Sequence, residues 1–166
     1  LMEEIKLARI DLDKVNKDWS LEGYSVSAFR TGLRIPQLNI CFDAGIHFKN
    51  DPQLILITHS HSDHIRELPY MLPYENNLTT VIVPNQLKYC IQNFVSAMHA
   101  ATLNIPKFKF WKYNLVGLYC KQSIDIKIKS SNLRIKTWEM THGFPCLGYG
   151  VYQLRKKLKN EYKDLP

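Results

Sequence analysis

Six consecutive positions hold three imidazoles and a carboxylate, in the run Thr58-His59-Ser60-His61-Ser62-Asp63-His64. Imidazole nitrogen and carboxylate oxygen suit divalent zinc, which gathers such donors into a roughly tetrahedral shell. The run follows Leu54-Ile55-Leu56-Ile57, a short aliphatic stretch that reads as a strand buried on both faces. At the end of a strand the two-residue period sends His59 and His61 to one side, while Asp63 and His64 lie past the bend. The spacing predicts two ligand groups facing two adjacent metal positions. A metal pair about 3.5 to 4 Å apart lowers the pKa of a bridging water and holds both the attacking and the leaving oxygen of a phosphodiester. A lone histidine is more often a satisfied surface or core residue, and His47 and His99 are read that way.

The elements that must place this loop can be read around it. Residues 1 to 19 carry acids, lysines and aliphatics without Gly or Pro, and either a short helix or a strand fits. Tyr24 to Phe29 alternates as a strand, a turn is expected at Thr31-Gly32, and Leu38 to Phe42 reads as a strand ending at Asp43-Ala44-Gly45. Ile65 to Leu72 is expected to be a short helix limited by Pro73. Thr79 to Val83 is a strand, and Pro84 opens a helix over Asn85 to about Leu103. Ile124 to Ile128 and Leu133 to Thr137 alternate as adjacent antiparallel strands, and Tyr149 to Leu154 is the last strand. Phe108 to Tyr113 interleaves aromatics with lysines, which fits a half-exposed strand better than a stacking platform for single-stranded nucleic acid. The fold class is therefore α/β, with a mixed β-sheet and flanking helices.

The totals bound the partners. At 166 residues, with 45% hydrophobic and 22% charged positions, the composition is that of one globular domain and excludes a disordered chain. The net charge of +7 favours polyanionic partners without identifying one. Cys41, Cys90, Cys120 and Cys146 form no C-x-x-C pair, so neither a zinc knuckle nor a redox dithiol is expected, and the thiols read as reduced. No secretory leader is seen, and no apolar run reaches the roughly 18 to 20 residues that span a bilayer, so no membrane partner and an intracellular location are expected.

Thr58 to His64 resembles the signature loop of the metallo-β-lactamase superfamily. The second stretch, Met140-Thr141-His142-Gly143-Phe144-Pro145-Cys146-Leu147-Gly148-Tyr149-Gly150, resembles the ribonuclease Z branch, where a strand-end His is followed by a Pro and a Leu-Gly-Tyr strand. Taken alone, His142 would be a loop histidine and Asp43 a turn residue before Gly45. The resemblance implies the N-terminal half of an αββα sandwich over residues 1 to 166, incomplete at its C-terminal end. It also implies that His59, His61 and His142 hold one zinc while Asp63 and His64 hold a second, with manganese or iron able to occupy similar sites. Asp63 would accept a proton from the attacking water. Asp43 would orient a ligand from behind. The implied activity is cleavage of precursor transfer RNA at its 3′ end. Arg155, Lys156, Lys157 and Lys159 would neutralise RNA phosphates, or else form a solvated basic end.

The branch needs two further ligands downstream, an Asp bridging both metals and a final His. After His142 the acids are Glu161 and Asp164, too close in the chain, and no histidine follows. Three readings compete: a fragment of a longer enzyme, a split enzyme completed by another polypeptide or a second copy, and a non-catalytic interaction module. The first is preferred. A hydrolase of cyclic nucleotides or small esters is the alternative within the fold. A half-sandwich is further expected to leave one sheet face apolar and uncovered, at a cost of about 25 cal/mol per Å².

Overall fold

The computed structural model describes residues 7–48, 52–72, 78–107 and 113–155. Within them the central layer is a seven-stranded sheet in chain order: β1 (Ala8–Asp11), β2 (Ser20–Val26), β3 (Arg30–Ile35), β4 (Ile40–Phe42), β5 (Leu54–Leu56), β6 (Thr80–Pro84) and β7 (Asn114–Leu118). The first four strands pair antiparallel, and β4 to β7 run parallel. Parallel strands are covered on both faces, which explains why β5 is an unbroken aliphatic run with no exposed residue.

One face is covered by helices α1 (Ser62–Ile65), α2 (Leu68–Met71) and α3 (Lys88–Thr102). Ile55, Ile57, Val81 and Val83 pack there against Leu68, Met71, Ile91 and Val95. The other face receives a three-stranded antiparallel sheet of β8 (Ser123–Ile128), β9 (Ser131–Glu139) and β10 (Leu147–Gln153), with β9 in the middle. Here Ile40, Leu54, Leu56 and Ile82 meet Ile128, Leu133, Ile135 and Leu147. The chain is thus a helix–sheet–sheet stack of the α/β class, the layering implied for half of an αββα sandwich.

One open choice is settled and three local expectations need correction. The N-terminal stretch, undecided between helix and strand, contributes β1, all four of whose residues are exposed. With both faces wet it carries no periodic signal. The turn expected at Thr31-Gly32 lies instead at residues 27–29, where Phe29 N–H reaches Val26 O at 3.0 Å and Ala28 takes a left-handed φ of 59°. Gly32 is a strand residue opposite Tyr24. Leu38 belongs to a 3-10 turn, Pro36–Leu38, rather than to β4. The outward face of the small sheet is mixed rather than apolar: Asp125, Lys127, Arg134 and Lys136 share it with Trp138 and Tyr152. Arg134 closes a two-point pair on Asp125 at 2.7 and 2.8 Å across β8 and β9. Residues 108–112 and 156–166, the aromatic-basic stretch and most of the basic tail, lie outside the described residues.

All four cysteines are free thiols. Burial pushes the Cys41 thiol up to about 12, against a smaller opposing pull from the Arg34 charge, whereas Cys90 is exposed on α3. The thiolate is the nucleophile. Iodoacetamide at pH 8 should therefore label Cys90 in the native protein and Cys41 only after denaturant is added; equal labelling rates by mass spectrometry would contradict this packing.

Candidate metal centre

Asp43 ends β4 and Thr58 follows β5, so both stand at the carboxyl ends of neighbouring parallel strands, where open α/β sheets place their binding crevices. Asp43 is buried and sits at φ 59°, a left-handed position that Asn and Asp tolerate better than most residues. Its Oδ1 accepts the Thr58 backbone N–H at 2.8 Å, and the Thr58 hydroxyl lies 3.0 Å from both carboxylate oxygens. With its hydrogen committed to Asp43, the Thr58 hydroxyl accepts from His59 Nδ1 at 3.0 Å. The neutral His59 ring then carries its hydrogen on Nδ1 and presents a bare Nε2. His64 Nδ1 donates to Asp43 Oδ2 at 2.8 Å, which in the neutral ring leaves Nε2 bare, 3.4 Å from Asp63 Oδ2. One buried carboxylate sets the tautomers of two histidines.

The bare His59 Nε2 faces His61 Nδ1 at 3.0 Å and His142 Nε2 at 3.1 Å. One nitrogen from each of these three residues lies within 4.8 Å of the others. In a tetrahedral shell with bonds of about 2.0 to 2.1 Å, ligand nitrogens stand about 3.3 Å apart, close to this spacing. Three imidazole nitrogens converging at this spacing fit a shared divalent cation. Burial first, then the nearby His64, His142 and His61, pushes His59 down to about 4, with Asp63 pulling weakly the other way. His59 is therefore neutral at physiological pH and needs to lose no proton to bind a metal. Burial opposes protonation of His64, but the Asp43 hydrogen bond and the charges of Asp43 and Asp63 outweigh it and raise its pKa. Surroundings that favour a proton there also favour a cation.

Asp63 and His64 are carried by α1, whose His64 ring lies 4.0 Å from that of His59. Asp63 is buried and placed on the His64 side of the cluster. Gly45 allows the approach of α1: its N–H reaches Thr31 O at 2.9 Å, and a Cβ on it would lie 1.8 Å from Asp63 O. His142 arrives from the other sheet, in the loop between β9 and β10. Leu147 N–H binds Thr58 O at 3.0 Å and the Tyr149 hydroxyl binds Ile57 O at 2.8 Å, docking the small sheet onto the histidine strand.

All six residues singled out in the two motifs and at Asp43 thus lie in one cluster. Arg155 does not. It is exposed just past β10, eight residues beyond Leu147 and so about 25 Å along an extended chain from the histidines. Lys156, Lys157 and Lys159 are outside the described residues. His99 is a core residue, buried on α3 with Nε2 2.9 Å from Pro69 O. Sequence reasoning gave no role to Thr58 or Tyr149. Thr58 had a signal, a hydroxyl adjacent to the first histidine; Tyr149 had only its place in Leu-Gly-Tyr.

No protein-family model matches the sequence. The chain is 31% identical over 153 residues to tRNase Z TRZ1 of Arabidopsis thaliana, an alignment covering 89% of this chain and 52% of that protein. It is 27% identical over 161 residues to the nuclear ribonuclease Z of Triticum aestivum, covering 89% of this chain and 83% of that one. A ribonuclease Z of Clostridium perfringens is 31% identical over 125 residues, 39% of its length. The chain thus spans about half the length of the Arabidopsis protein. Among solved structures, Zn(2+)-bound PqqB from Methylobacterium extorquens has a TM-score of 0.43 and 8% identity, over 81% of this chain and 49% of its own. Among the described residues no helix is long and apolar enough to cross a membrane.

Proposed function

We propose that the chain, which is similar to ribonuclease Z proteins over 89% of its length, carries the metal-binding half of a phosphodiesterase that cleaves precursor transfer RNA at its 3′ end. The observation that carries this reading is the convergence of His59, His61 and His142, drawn from two sheets, beside the Asp63-His64 pair. His59, His61 and His142 hold one divalent cation, zinc by the nature of the donors, and Asp63 with His64 holds a second. When bound, the cations supply Lewis-acid polarisation of the phosphodiester and acidify the attacking water. The buried Asp63 carboxylate takes the proton released by that water. Asp43 keeps His59, through Thr58, and His64 in the tautomers that leave Nε2 free. Arg155, with Lys156, Lys157 and Lys159, neutralises RNA phosphates, so binding weakens steeply with salt.

The direct test measures zinc per chain and cleavage of a precursor transfer RNA by the same preparation. Stoichiometric zinc with a 3′-hydroxyl product supports the reading; stoichiometric zinc with intact RNA removes the substrate assignment. The role given to Asp43 has its own test. Asparagine tolerates the same left-handed backbone, so Asp43→Asn should fold. Its neutral amide, however, cannot accept from Thr58 and His64 together as the carboxylate does. Zinc affinity should fall by about 10- to 100-fold, the usual cost of losing a ligand's supporting partner. An Asp43→Asn protein binding zinc as tightly as the parent would show that Asp43 only shapes the turn.

A further inference from the structure

The four clustered histidines are not held alike. His59 is oriented by Thr58 and His64 by Asp43, each through Nδ1. His61 and His142 are exposed, and among the described residues neither ring meets a hydrogen-bonding group outside the histidine cluster. A ligand imidazole without such a partner is free to turn away from the metal. The Phe144 ring lies against His61, with centroids 5.2 Å apart and planes inclined by 25°, a stacked arrangement. Phe144 belongs to the same loop as His142, two residues on. That loop is pinned at its base by Met140 N–H to Cys146 O at 3.3 Å and by Leu147 N–H to Thr58 O at 3.0 Å. Between the two rings Gly143 takes a left-handed φ of +60° with nothing near its Cβ position, so no packing there fixes the path of the loop.

We propose that Phe144 is the positioning residue for the two exposed histidines: its ring clamps His61 and, by the same contact, anchors the loop that carries His142. An aromatic face here does the orienting that hydrogen bonds do for His59 and His64. Stacked rings attract beyond the effect of their buried area, enough to favour one imidazole orientation about two- to tenfold. Phe144 is itself 39% exposed, so it contributes little to either core. The inference rests on the metal-site reading given above but not on the identity of the substrate.

Phe144→Ala, Phe144→Leu and Phe144→Tyr separate a flat ring from mere bulk, with circular dichroism to establish that each variant folds. Zinc affinity, measured by competition with a chromophoric chelator, should fall about three- to tenfold in the Ala and Leu variants and stay within about twofold in Phe144→Tyr. In the metal-free protein the His61 ring-proton resonances should lose their ring-current displacement in the Ala and Leu variants and keep it in Phe144→Tyr. Unchanged zinc affinity and unmoved His61 resonances in Phe144→Ala would overturn the proposal, as would a Leu variant that behaves like the Tyr one. Both readouts are made without RNA. A parent protein that binds zinc and leaves RNA intact therefore defeats the ribonuclease assignment while leaving this inference standing.

Discussion

Replacement of His61 by alanine should lower RNA cleavage at least about a thousandfold, roughly 4 kcal/mol of lost transition-state stabilisation, while leaving the fold intact. His61 is exposed and lies in neither core, so its loss opens no cavity. What it removes is one of three nitrogens converging within 4.8 Å. A pair of imidazoles retains a divalent cation far less well than three do. Zinc measured per chain should drop along with the rate, which separates loss of the metal from loss of RNA binding. The exposed His47, outside the cluster, supplies the control: His47→Ala should leave zinc and cleavage unchanged. Full cleavage by the His61→Ala protein would end the metal mechanism.

The second large effect lies in the backbone. An alanine at position 45 would place its Cβ 1.8 Å from Asp63 O, 2.5 Å from Thr31 O and 2.7 Å from Thr31 N. All three are main-chain atoms, so no side chain can swing aside. Relief requires β3 and α1 to separate, which breaks the 2.9 Å bond from Gly45 N–H to Thr31 O. It also strains the 2.6 Å bond from Ala44 N–H to His64 O. Gly45→Ala should cost more than about 3 kcal/mol, at the severe end for a single substitution. In urea it should unfold at a much lower midpoint or fail to accumulate in soluble form. A midpoint within error of the parent would mean that the approach of α1 is looser than these distances describe.

The contrast between these residues and others shows what is legible from sequence. His59, His61, Asp63 and His64 announce themselves because their chemistry is local and crowded behind an aliphatic strand. β5 was readable for a related reason: burial on both faces leaves an unbroken Leu-Ile-Leu run. β1 was not, because its four residues face water on both sides and follow no period. The turn at residues 27–29 was hidden because Ala28 occupies a left-handed position that offers no Gly or Asn as a marker, while Gly32 drew attention to a strand. The contact of Phe144 with His61 spans 83 positions and two sheets, so only the assembled fold brings it to view.

The docking of β10 against the end of β5 has a thermodynamic side. His59 and His61 ride on the large sheet and His142 on the small one, so a cation seated among them would cross-link the two layers through three dative bonds. Part of its capture free energy would then serve as cohesion between the sheets, and chelation would loosen the sandwich at the same edge where it empties the site.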